Sequence, residues 1–444
     1  MKTNATRRTF LAGSAAALGA AAPVVGRAAS RVIGANDRIQ IGHIGVGGNG
    51  SGMLRRMVQR SEEQSDVKSV AVCDVYSVRR ERAREIAKLE GAAACTDYRE
   101  LLARDDVDAV LISTPDHWHS QMAVDAMAAG KDVYLQKPMT LTVDEARQVA
   151  EAARKHGRVL QVGSQHLSDM RYHLAKQLIE AGEIGEVLWA QDNYSRNSID
   201  GEWNYHIDAE GNEQTIDWQR WLGSAPKRPF SAERYFRWRK YWDYSGGIAT
   251  DLFYHRLGPI LFAMGSRFPT RVTGAGGIYV QKDREVPDTY STTIEYPDFF
   301  ITLSASMANS AAVRYVPDAI YGHKGTIVMD GPNVVLVREA IFDPAAEGRG
   351  QGTVTRYPVG SRDIVNDHMS NWLECIRSRQ TPRLGPDFGY EIMTAIKLGV
   401  ESYRQGKVMC WDAKAGKVTD APGPRPAYEG DGANAPESRY KKRA

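Results

Sequence analysis

A regular alternation of short apolar runs and helix-like stretches constrains the fold more than any other feature of this 444-residue chain. The apolar runs lie at residues 39–44, 67–73, 109–112, 132–135 and 159–162. Strand-like runs that are separated by helical segments predict parallel βαβ units, which assemble into a doubly wound sheet. The N-terminal part of the chain is therefore predicted to be an α/β domain with helices on both faces of its sheet.

The first apolar run ends in a glycine-rich sequence of the pattern G-x-G-x-x-G. Its first glycine allows a tight turn, its second lets the backbone approach a pyrophosphate, and its third lets the helix pack closely on the strand. Because the motif follows a strand-like run and opens a helix-like stretch, it predicts a dinucleotide-binding Rossmann domain over residues 31–165. The predicted cofactor contacts in this loop are Gly45, Gly47, Gly48, Asn49 and Gly50.

An acidic residue, Asp74, follows the second apolar run and predicts which dinucleotide is bound. A carboxylate at this place accepts hydrogen bonds from both ribose hydroxyls and repels a 2′-phosphate. The sequence therefore favours NAD as the cofactor. Arg79 and Arg80 lie close enough in the sequence to leave NADP possible.

The third and fourth apolar runs lead into polar loops, at residues 113–119 and 136–138. Ligands of open α/β sheets bind at the carboxyl ends of the strands, so both loops should border the cofactor. A lysine there, Lys137, can hydrogen-bond a substrate hydroxyl or carry its proton. Asp116 is interpreted as a helix cap. No metal site is predicted, because the His-x-His motif formed by His117 and His119 supplies only two ligands. The predicted cofactor contacts are Thr114, Pro115, His119 and Gln136, and His117 is a predicted substrate contact.

The pattern changes near residue 166, where tryptophans cluster and strand-like runs recur without regular helices between them. This predicts a second, α+β domain over residues 166–419, with a large, mostly antiparallel, open-faced sheet. The tryptophans can stack on sugar rings or can pack the core, and most are expected in the core. The predicted substrate contacts here are His166, Tyr194 and Arg239.

Several of these motifs together resemble the Gfo/Idh/MocA family, which is named for glucose–fructose oxidoreductase and inositol dehydrogenase. The matching pieces are the loop at 45–50, Thr114-Pro115 with His119, Lys137-Pro138, and the segments 182–185 and 246–255. The resemblance implies that Lys137 is catalytic and that Asp251 and His255 complete the site. It also implies a homodimer or homotetramer built on the open face of the sheet. One departure is Gln136, where the family usually has glutamate before the lysine.

Asp251 and His255 are four residues apart, so on a helix they share one face. His255 is the predicted general base because an unperturbed histidine has a pKa of about 6.5, and Asp251 could orient its ring. In the alternative interpretation, Asp251 caps the helix and His255 is a core histidine.

The charge of the chain is uneven at its N-terminus. Residues 1–30 hold four basic residues, including Arg7-Arg8, and no acidic one, followed by an Ala- and Gly-rich apolar run. This pattern predicts a twin-arginine export signal, and therefore a periplasmic or otherwise exported protein that uses the twin-arginine machinery. The run is too short to span a membrane, which needs ~20 apolar residues. Without those four residues, the chain has 53 basic against 54 acidic residues, so its charge does not favour nucleic acid or a membrane surface.

Two other features bear on the organisation of the chain. The four cysteines, Cys73, Cys95, Cys375 and Cys410, form neither a C-x-x-C pair nor a zinc-binding spacing, so no disulfide framework is expected. Residues 420–444 are rich in Pro, Gly, Ala and charge, and are predicted to be an extended tail.

These features favour an exported NAD(P)-dependent oxidoreductase that acts on a hydroxyl of a sugar, polyol or glycoside and holds its cofactor tightly. The alternative is an NAD-dependent glycosidase or lyase that oxidises C3 transiently and regenerates its cofactor within each cycle. The scarcity of free NAD outside the cytoplasm motivates this alternative. A non-catalytic sugar sensor is a third hypothesis, which the intact Lys137, Asp251 and His255 disfavour.

Overall fold

The structure is a computed structural model that describes residues 37–346, 350, 352–421 and 423. The predicted export signal at 1–30 and most of the predicted tail at 420–444 lie outside the described residues, so both stay predictions. Within the described ranges, every helix is too short or too polar to cross a membrane.

The N-terminal half contains a parallel sheet. Its strands, in the part of the chain that is described, are β1 (Ile39–Ile44), β2 (Val67–Cys73), β3 (Ala94–Cys95), β4 (Ala109–Ile112), β5 (Asp132–Gln136) and β6 (Leu160–Gly163). The helices that follow the first five strands are α1 (Gly48–Gln64), α2 (Ser77–Ile86), α3 (Tyr98–Leu102), α4 (Asp116–Ala128) and α5 (Val143–His156). The strand order β3-β2-β1-β4-β5-β6 confirms the predicted doubly wound sheet. The order reverses between β1 and β4, which is where such sheets bind ligands.

The C-terminal half contains a larger sheet, of which all neighbouring strands but one pair run antiparallel. Its described strands are β7 (Val187–Asn193), β8 (Arg271–Gly277), β9 (Thr289–Glu295), β10 (Phe300–Ser306), β11 (Ala319–Gly322), β12 (Gly325–Asp330), β13 (Asn333–Arg338), β14 (Val354–Pro358), β15 (Met409–Asp412) and β16 (Lys417–Thr419). Their order is β14-β13-β12-β11-β7-β10-β9-β8-β15-β16, and β7 with β10 is the parallel pair. The predicted fold class is thus confirmed.

Helices cover one face of this second sheet. These are α6 (Met170–Glu180), α9 (Tyr254–Met264) and α11 (Pro386–Gln405), whereas α7 (Trp218–Leu222), α8 (Ala232–Phe236) and α10 (Ile364–Ser378) lie towards the N-terminal half. Alternate residues of β9 and β10 are buried, as expected when one face packs on helices and the other does not. The uncovered face carries a stack of Trp189 on Tyr321, with ring centroids 4.1 Å apart.

Two parts of the C-terminal half pack against the nucleotide-binding half. On α10, Trp372 is fully buried against Tyr134 of β5, with ring centroids 5.4 Å apart. Residues 205–239, here called the covering segment, pair with the loop after β2 through two backbone hydrogen bonds of 2.9 Å. The covering segment therefore lies beside the carboxyl ends of the parallel strands, where the site forms.

Candidate active site

The glycine-rich loop after β1 has the geometry of a phosphate cradle. Gly45 has a φ of +80°, which favours glycine, and its amide donates to the carbonyl of Cys73 at 2.9 Å. A Cβ on Gly50 would lie 2.0 Å from the carbonyl oxygen of Gly45, so only glycine allows this approach of helix to strand. Helix α1 begins without a side-chain cap and without an acidic residue in its first turn. Its free amides and the positive end of its dipole fit a pyrophosphate.

A cavity of about 610 Å³ opens from this loop and extends to the fourth and fifth strands. Its wall contains ten of the residues predicted from the sequence: Gly45, Gly47, Gly48, Asn49, Asp74, Thr114, Pro115, Gln136, Lys137 and Arg239. The other seven predicted residues lie outside this wall: Gly50, His117, His119, His166, Tyr194, Asp251 and His255. The loop glycines, the predicted ribose-binding Asp74 and Lys137 thus border one space, which is large enough for a dinucleotide and a small substrate.

The covering segment closes the other side of the cavity with aromatic and basic side chains, a feature that the sequence interpretation missed. They are Tyr205, His206, Arg220, Trp221, Tyr235, Phe236, Trp238 and Arg239. The tryptophan cluster is visible in the sequence, but only Arg239 is predicted there as a ligand contact. Which tryptophans line a cavity depends on contacts between distant segments, and local periodicity carries no information on these.

Arg79 joins the covering segment to the phosphate cradle. Its guanidinium carbon lies 5.2 Å from the ring centre of Tyr235 and 5.1 Å from that of Phe236, within range of cation–π attraction. One guanidinium nitrogen is 3.1 Å from the place that a Cβ of Gly47 would take. Arg80, in contrast, binds the Asp74 carbonyl at 3.1 Å. Arg79 is therefore placed to meet a phosphate beside Gly47.

Lys137, Asp251 and Arg239 form a buried ion network at the end of the cavity. The Lys137 Nζ donates to Oδ1 of Asp251 at 2.6 Å and to its carbonyl at 3.0 Å, and Arg239 Nε donates to the same Oδ1 at 3.0 Å. Burial acts to raise the pKa of Asp251, but the charges of Lys137 and Arg239 prevail and hold it well below its ordinary range. Asp251 therefore stays ionised and fixes the direction in which Lys137 points.

The predicted orienting contact between Asp251 and His255 is not formed, which corrects the helix-spacing argument. Residues Ala249–Phe253 are a π-helical turn ahead of α9, and the Asp251 carboxylate turns to Lys137 and Arg239. Instead, Nδ1 of His255 contacts Ser164 Oγ at 3.2 Å. The spacing argument failed because two cations from other segments compete for the carboxylate.

His255 is the centre of a second group of predicted residues. The rings of His166 and Tyr194 lie 5.1 and 6.5 Å from it, between centroids. Burial, followed by the charge of Lys137, lowers the pKa of His255 well below its usual value. The ring is therefore neutral near pH 7 and able to accept a proton.

The two histidines of the 113–119 loop have structural contacts. His117 Nε2 contacts the Trp221 carbonyl at 3.0 Å, and its ring packs against Trp221 and Tyr244 outside the cavity wall. This position favours a link between the two halves over the predicted substrate contact. The ring nitrogens of His119 lie 2.7 Å from the Pro138 carbonyl and 2.9 Å from that of Thr114, so His119 ties two loops of the wall together. The described residues contain no group of three potential metal ligands.

Asp116, interpreted from the sequence as a helix cap, is a buried carboxyl beside the ion network. It is 2% exposed, its Oδ2 has no hydrogen-bond partner, and it contacts Ser245. Burial, followed by the charge of Asp251, raises the pKa of Asp116 to about 8, although Arg239 and Lys137 oppose the shift. Asp116 therefore carries a proton at neutral pH.

We predict that replacing Asp116 with Asn removes a pH dependence of stability. The carboxyl has a pKa of about 3.9 in the unfolded chain. Between that pH and about 8, only the folded chain keeps this proton, so the wild type loses stability as the pH rises. The free energy of unfolding of Asp116→Asn should rise relative to wild type across this window, by up to ~1.4 kcal/mol for each pH unit. Urea denaturation at a series of pH values measures this, with the exposed Asp387→Asn as control. A constant difference between variant and wild type would contradict it.

Two family models match the chain in the regions just described. The model "Oxidoreductase family, NAD-binding Rossmann fold" matches residues 39–164, and "Oxidoreductase family, C-terminal alpha/beta domain" matches residues 176–411. Inositol 2-dehydrogenase of Salmonella paratyphi B is 35% identical over 151 residues, which are 34% of this chain and 44% of that protein. A glycosyl hydrolase family 109 protein of Shewanella pealeana is 28% identical over 169 residues, which cover 36% of this chain and 35% of the relative. The match thus spans less than half the length of either relative.

Similar solved structures share the fold over most of the chain. Levoglucosan dehydrogenase in complex with NADH has a TM-score of 0.66 at 17% identity, and the match covers 84% of this chain and 98% of that one. The oxidoreductase domain protein from Kribbella flavida has a TM-score of 0.65 at 20% identity, with the same coverage. At this identity the similarity concerns the fold alone.

Proposed function

Since the chain belongs to the Gfo/Idh/MocA oxidoreductase family, with an N-terminal NAD-binding Rossmann domain, we propose that it oxidises a hydroxyl of a sugar, polyol or glycoside. The observation that carries this proposal is that Lys137 lies on the wall of the cavity that begins at the phosphate cradle, with its ammonium fixed by Asp251 at 2.6 Å. A substrate at this end of the cavity would meet both the lysine and the cofactor site.

When bound, the nicotinamide would supply a hydride acceptor. Lys137 would donate a hydrogen bond to the substrate oxygen and stabilise negative charge that develops there as the C–H bond weakens. Asp251 holds the lysine at one position and is itself held by Arg239, so little reorganisation would accompany the reaction.

His255 would act as the general base. Its ring is neutral, because burial and the charge of Lys137 lower its pKa, and Ser164 fixes its Nδ1 side. A neutral imidazole near Lys137 can accept the hydroxyl proton, directly or through one water. The surrounding His166 and Tyr194 would then limit the access of solvent to that proton.

A coupled assay separates this function from its alternative. Purified protein with added NAD is given a panel of sugars, polyols and aryl glycosides, while NADH absorbance and aglycone release are recorded together. Stoichiometric NADH formation supports a net oxidoreductase. Aglycone release without NADH supports an NAD-dependent glycosidase or lyase, and absence of any affinity for NAD contradicts both.

The covering segment favours keeping the cofactor within the protein, which suits the glycosidase alternative. Its aromatic side chains line one side of the cavity while the phosphate cradle lines the other, so a dinucleotide between them would leave slowly. An enzyme that retains its cofactor must regenerate it in place, either by reducing its own oxidised intermediate or by using a second substrate. The similarity to a glycosyl hydrolase family 109 protein is consistent with this alternative.

We predict that replacing Arg79 with Met accelerates the loss of dinucleotide. Methionine keeps most of the volume between Tyr235 and Phe236 but removes the charge beside Gly47. A charge-assisted contact to phosphate contributes about 1.5–3 kcal/mol, so release should be at least ~tenfold faster. NADH fluorescence after rapid dilution measures the rate, and Arg82→Met, on the exposed side of α2, is the matched control. Equal release rates for both variants would exclude a phosphate contact by Arg79.

Export and assembly complete the proposal. The twin-arginine pattern in residues 1–30 supports secretion of a folded, cofactor-loaded protein. Signal processing in a bacterial host with and without the transport system would test this.

The open face of the second sheet supports a homodimer or homotetramer, since it exposes the Trp189–Tyr321 stack and the half-exposed Phe300. Light scattering of wild type and Trp189→Asp would test this assembly.

A further inference from the structure

The cavity wall contains a thiol that the proposed reaction does not use. Cys73 is the last residue of β2 and is the direct neighbour of Cys95, the last residue of β3, in the parallel sheet. Residues in this register project to the same face, and strands ~4.8 Å apart fall within the Cα separation that a disulfide requires. The Cys95 thiol donates to the Val72 carbonyl, on the neighbouring strand, at 3.7 Å. Cys73, Thr96 and Asp97 line the cavity, so a small oxidant can approach the pair from there.

The two thiols differ in their access to the cavity. Cys73 lies on the cavity wall, whereas Cys95 does not, so an oxidant that enters the cavity meets the pair at Cys73. The thiolate is the form that attacks a disulfide, and the neighbouring sulfur then resolves the mixed disulfide.

Both cysteines also hold parts of the dinucleotide site through their backbones. The Cys73 carbonyl accepts from the amide of Gly45 at 2.9 Å, and the Cys95 carbonyl accepts from the amide of Asp74 at 3.3 Å. The Cys73 thiol donates to the Thr96 carbonyl at 3.4 Å, a bond that is lost when the sulfur is oxidised. A change at the sulfurs therefore reaches the phosphate cradle and the predicted ribose-binding carboxylate.

We propose that Cys73 and Cys95 form a reversible dithiol–disulfide pair whose oxidation weakens dinucleotide binding. The thiolate of one cysteine attacks a small disulfide such as oxidised glutathione, forms a mixed disulfide and releases one thiolate. The other cysteine then loses its proton, attacks the protein sulfur of the mixed disulfide and releases the second thiolate, so two electrons pass from the pair to the oxidant. Bound dinucleotide fills the cavity and shields the pair, and by linkage the two effects are reciprocal. The proposal depends on dinucleotide binding but not on the proposed reaction.

Oxidation of the full chain, freed of nucleotide, with oxidised glutathione tests the proposal. We expect peptide mapping to find a Cys73–Cys95 crosslink, calorimetry to find NAD binding weakened ~tenfold or more, and dithiothreitol to restore it. Saturating NAD should slow the oxidation. Cys95→Ser should lose the crosslink and the affinity change, and Cys410→Ser, on β15, should keep both.

Three outcomes would overturn the proposal: no thiol reacts, only Cys375 or Cys410 reacts, or the crosslink forms without a change in NAD affinity. If Cys95→Ser does not fold, the peptide map and the NAD affinity of the oxidised wild type decide. Neither readout involves turnover, so this test stays separate from that of the proposed function.

Discussion

Replacing Lys137 with Ala is expected to lower turnover by about 10²–10⁴-fold while leaving NAD affinity nearly unchanged. The lysine lies on the cavity wall and is held by Asp251, whereas the phosphate cradle is formed by other residues. Its loss removes the donor to the substrate oxygen but no predicted contact to the pyrophosphate. Initial rates with the best substrate of the panel, together with NAD calorimetry, measure the two quantities.

Controls separate chemistry from folding in this experiment. Lys155→Ala, an exposed lysine at the end of α5, should behave as wild type. Removal of Lys137 leaves the buried Asp251 carboxylate paired with Arg239 alone, so Lys137→Ala combined with Asp251→Asn tests whether the lost neutralisation of Asp251 causes the loss of turnover. If the double variant regains turnover, the lysine acts only by neutralising Asp251. Unchanged turnover in Lys137→Ala would contradict the catalytic assignment altogether.

Replacing Gly50 with Ala is expected to abolish dinucleotide binding and to destabilise the N-terminal domain. The new Cβ would lie 2.0 Å from the Gly45 carbonyl oxygen, a contact that forces α1 away from β1. Overpacking of this kind costs about 1–3 kcal/mol or more, and the displaced helix no longer presents its amides to the phosphates. Thermal unfolding and NAD calorimetry measure the two effects.

Gly52 provides a matched control two residues further along the same helix. A Cβ on Gly52 meets no atom within 4 Å, so Gly52→Ala adds a methyl group to α1 without a clash. We expect it to retain NAD binding and to gain about 0.5–1 kcal/mol, because alanine is favoured over glycine within a helix. Equal NAD affinities for Gly50→Ala and Gly52→Ala would disprove the role assigned to this loop.

The features that the sequence predicted well depend on local patterns. The phosphate cradle requires only a strand, three glycines and a helix in succession, and the structure has this order from β1 to α1. Lys137 follows β5, so its position at the carboxyl edge of the sheet follows from the topology. Within the ion network, the contact of Lys137 with Asp251 joins residues 114 positions apart, and local patterns carry no information on it.

The features that were missed depend on competition between such distant partners. Helical spacing predicts that the Asp251 carboxylate contacts His255. It takes no account of Lys137 and Arg239, which lie on other segments and bind this carboxylate instead. The loop position of His117 predicts a substrate contact, and the carbonyl of Trp221, in the covering segment, engages its ring instead. The position of Asp116 ahead of a helix-like stretch suggests a helix cap. The burial that raises its pKa arises only in the folded chain, so the sequence could not show it.

The covering segment also has a consequence for the order of events during synthesis. The phosphate cradle and Lys137 are complete once residue 137 has been translated, but the opposite wall of the cavity needs residues 205–239. His117 and Trp118 hold that wall through their side-chain contacts with the Trp221 carbonyl. The wall is absent from a nascent N-terminal domain, because its residues have not yet been translated. A ribosome-bound chain would thus hold a dinucleotide only loosely until the second half folds over it. Capture of the cofactor then becomes one of the last steps in maturation.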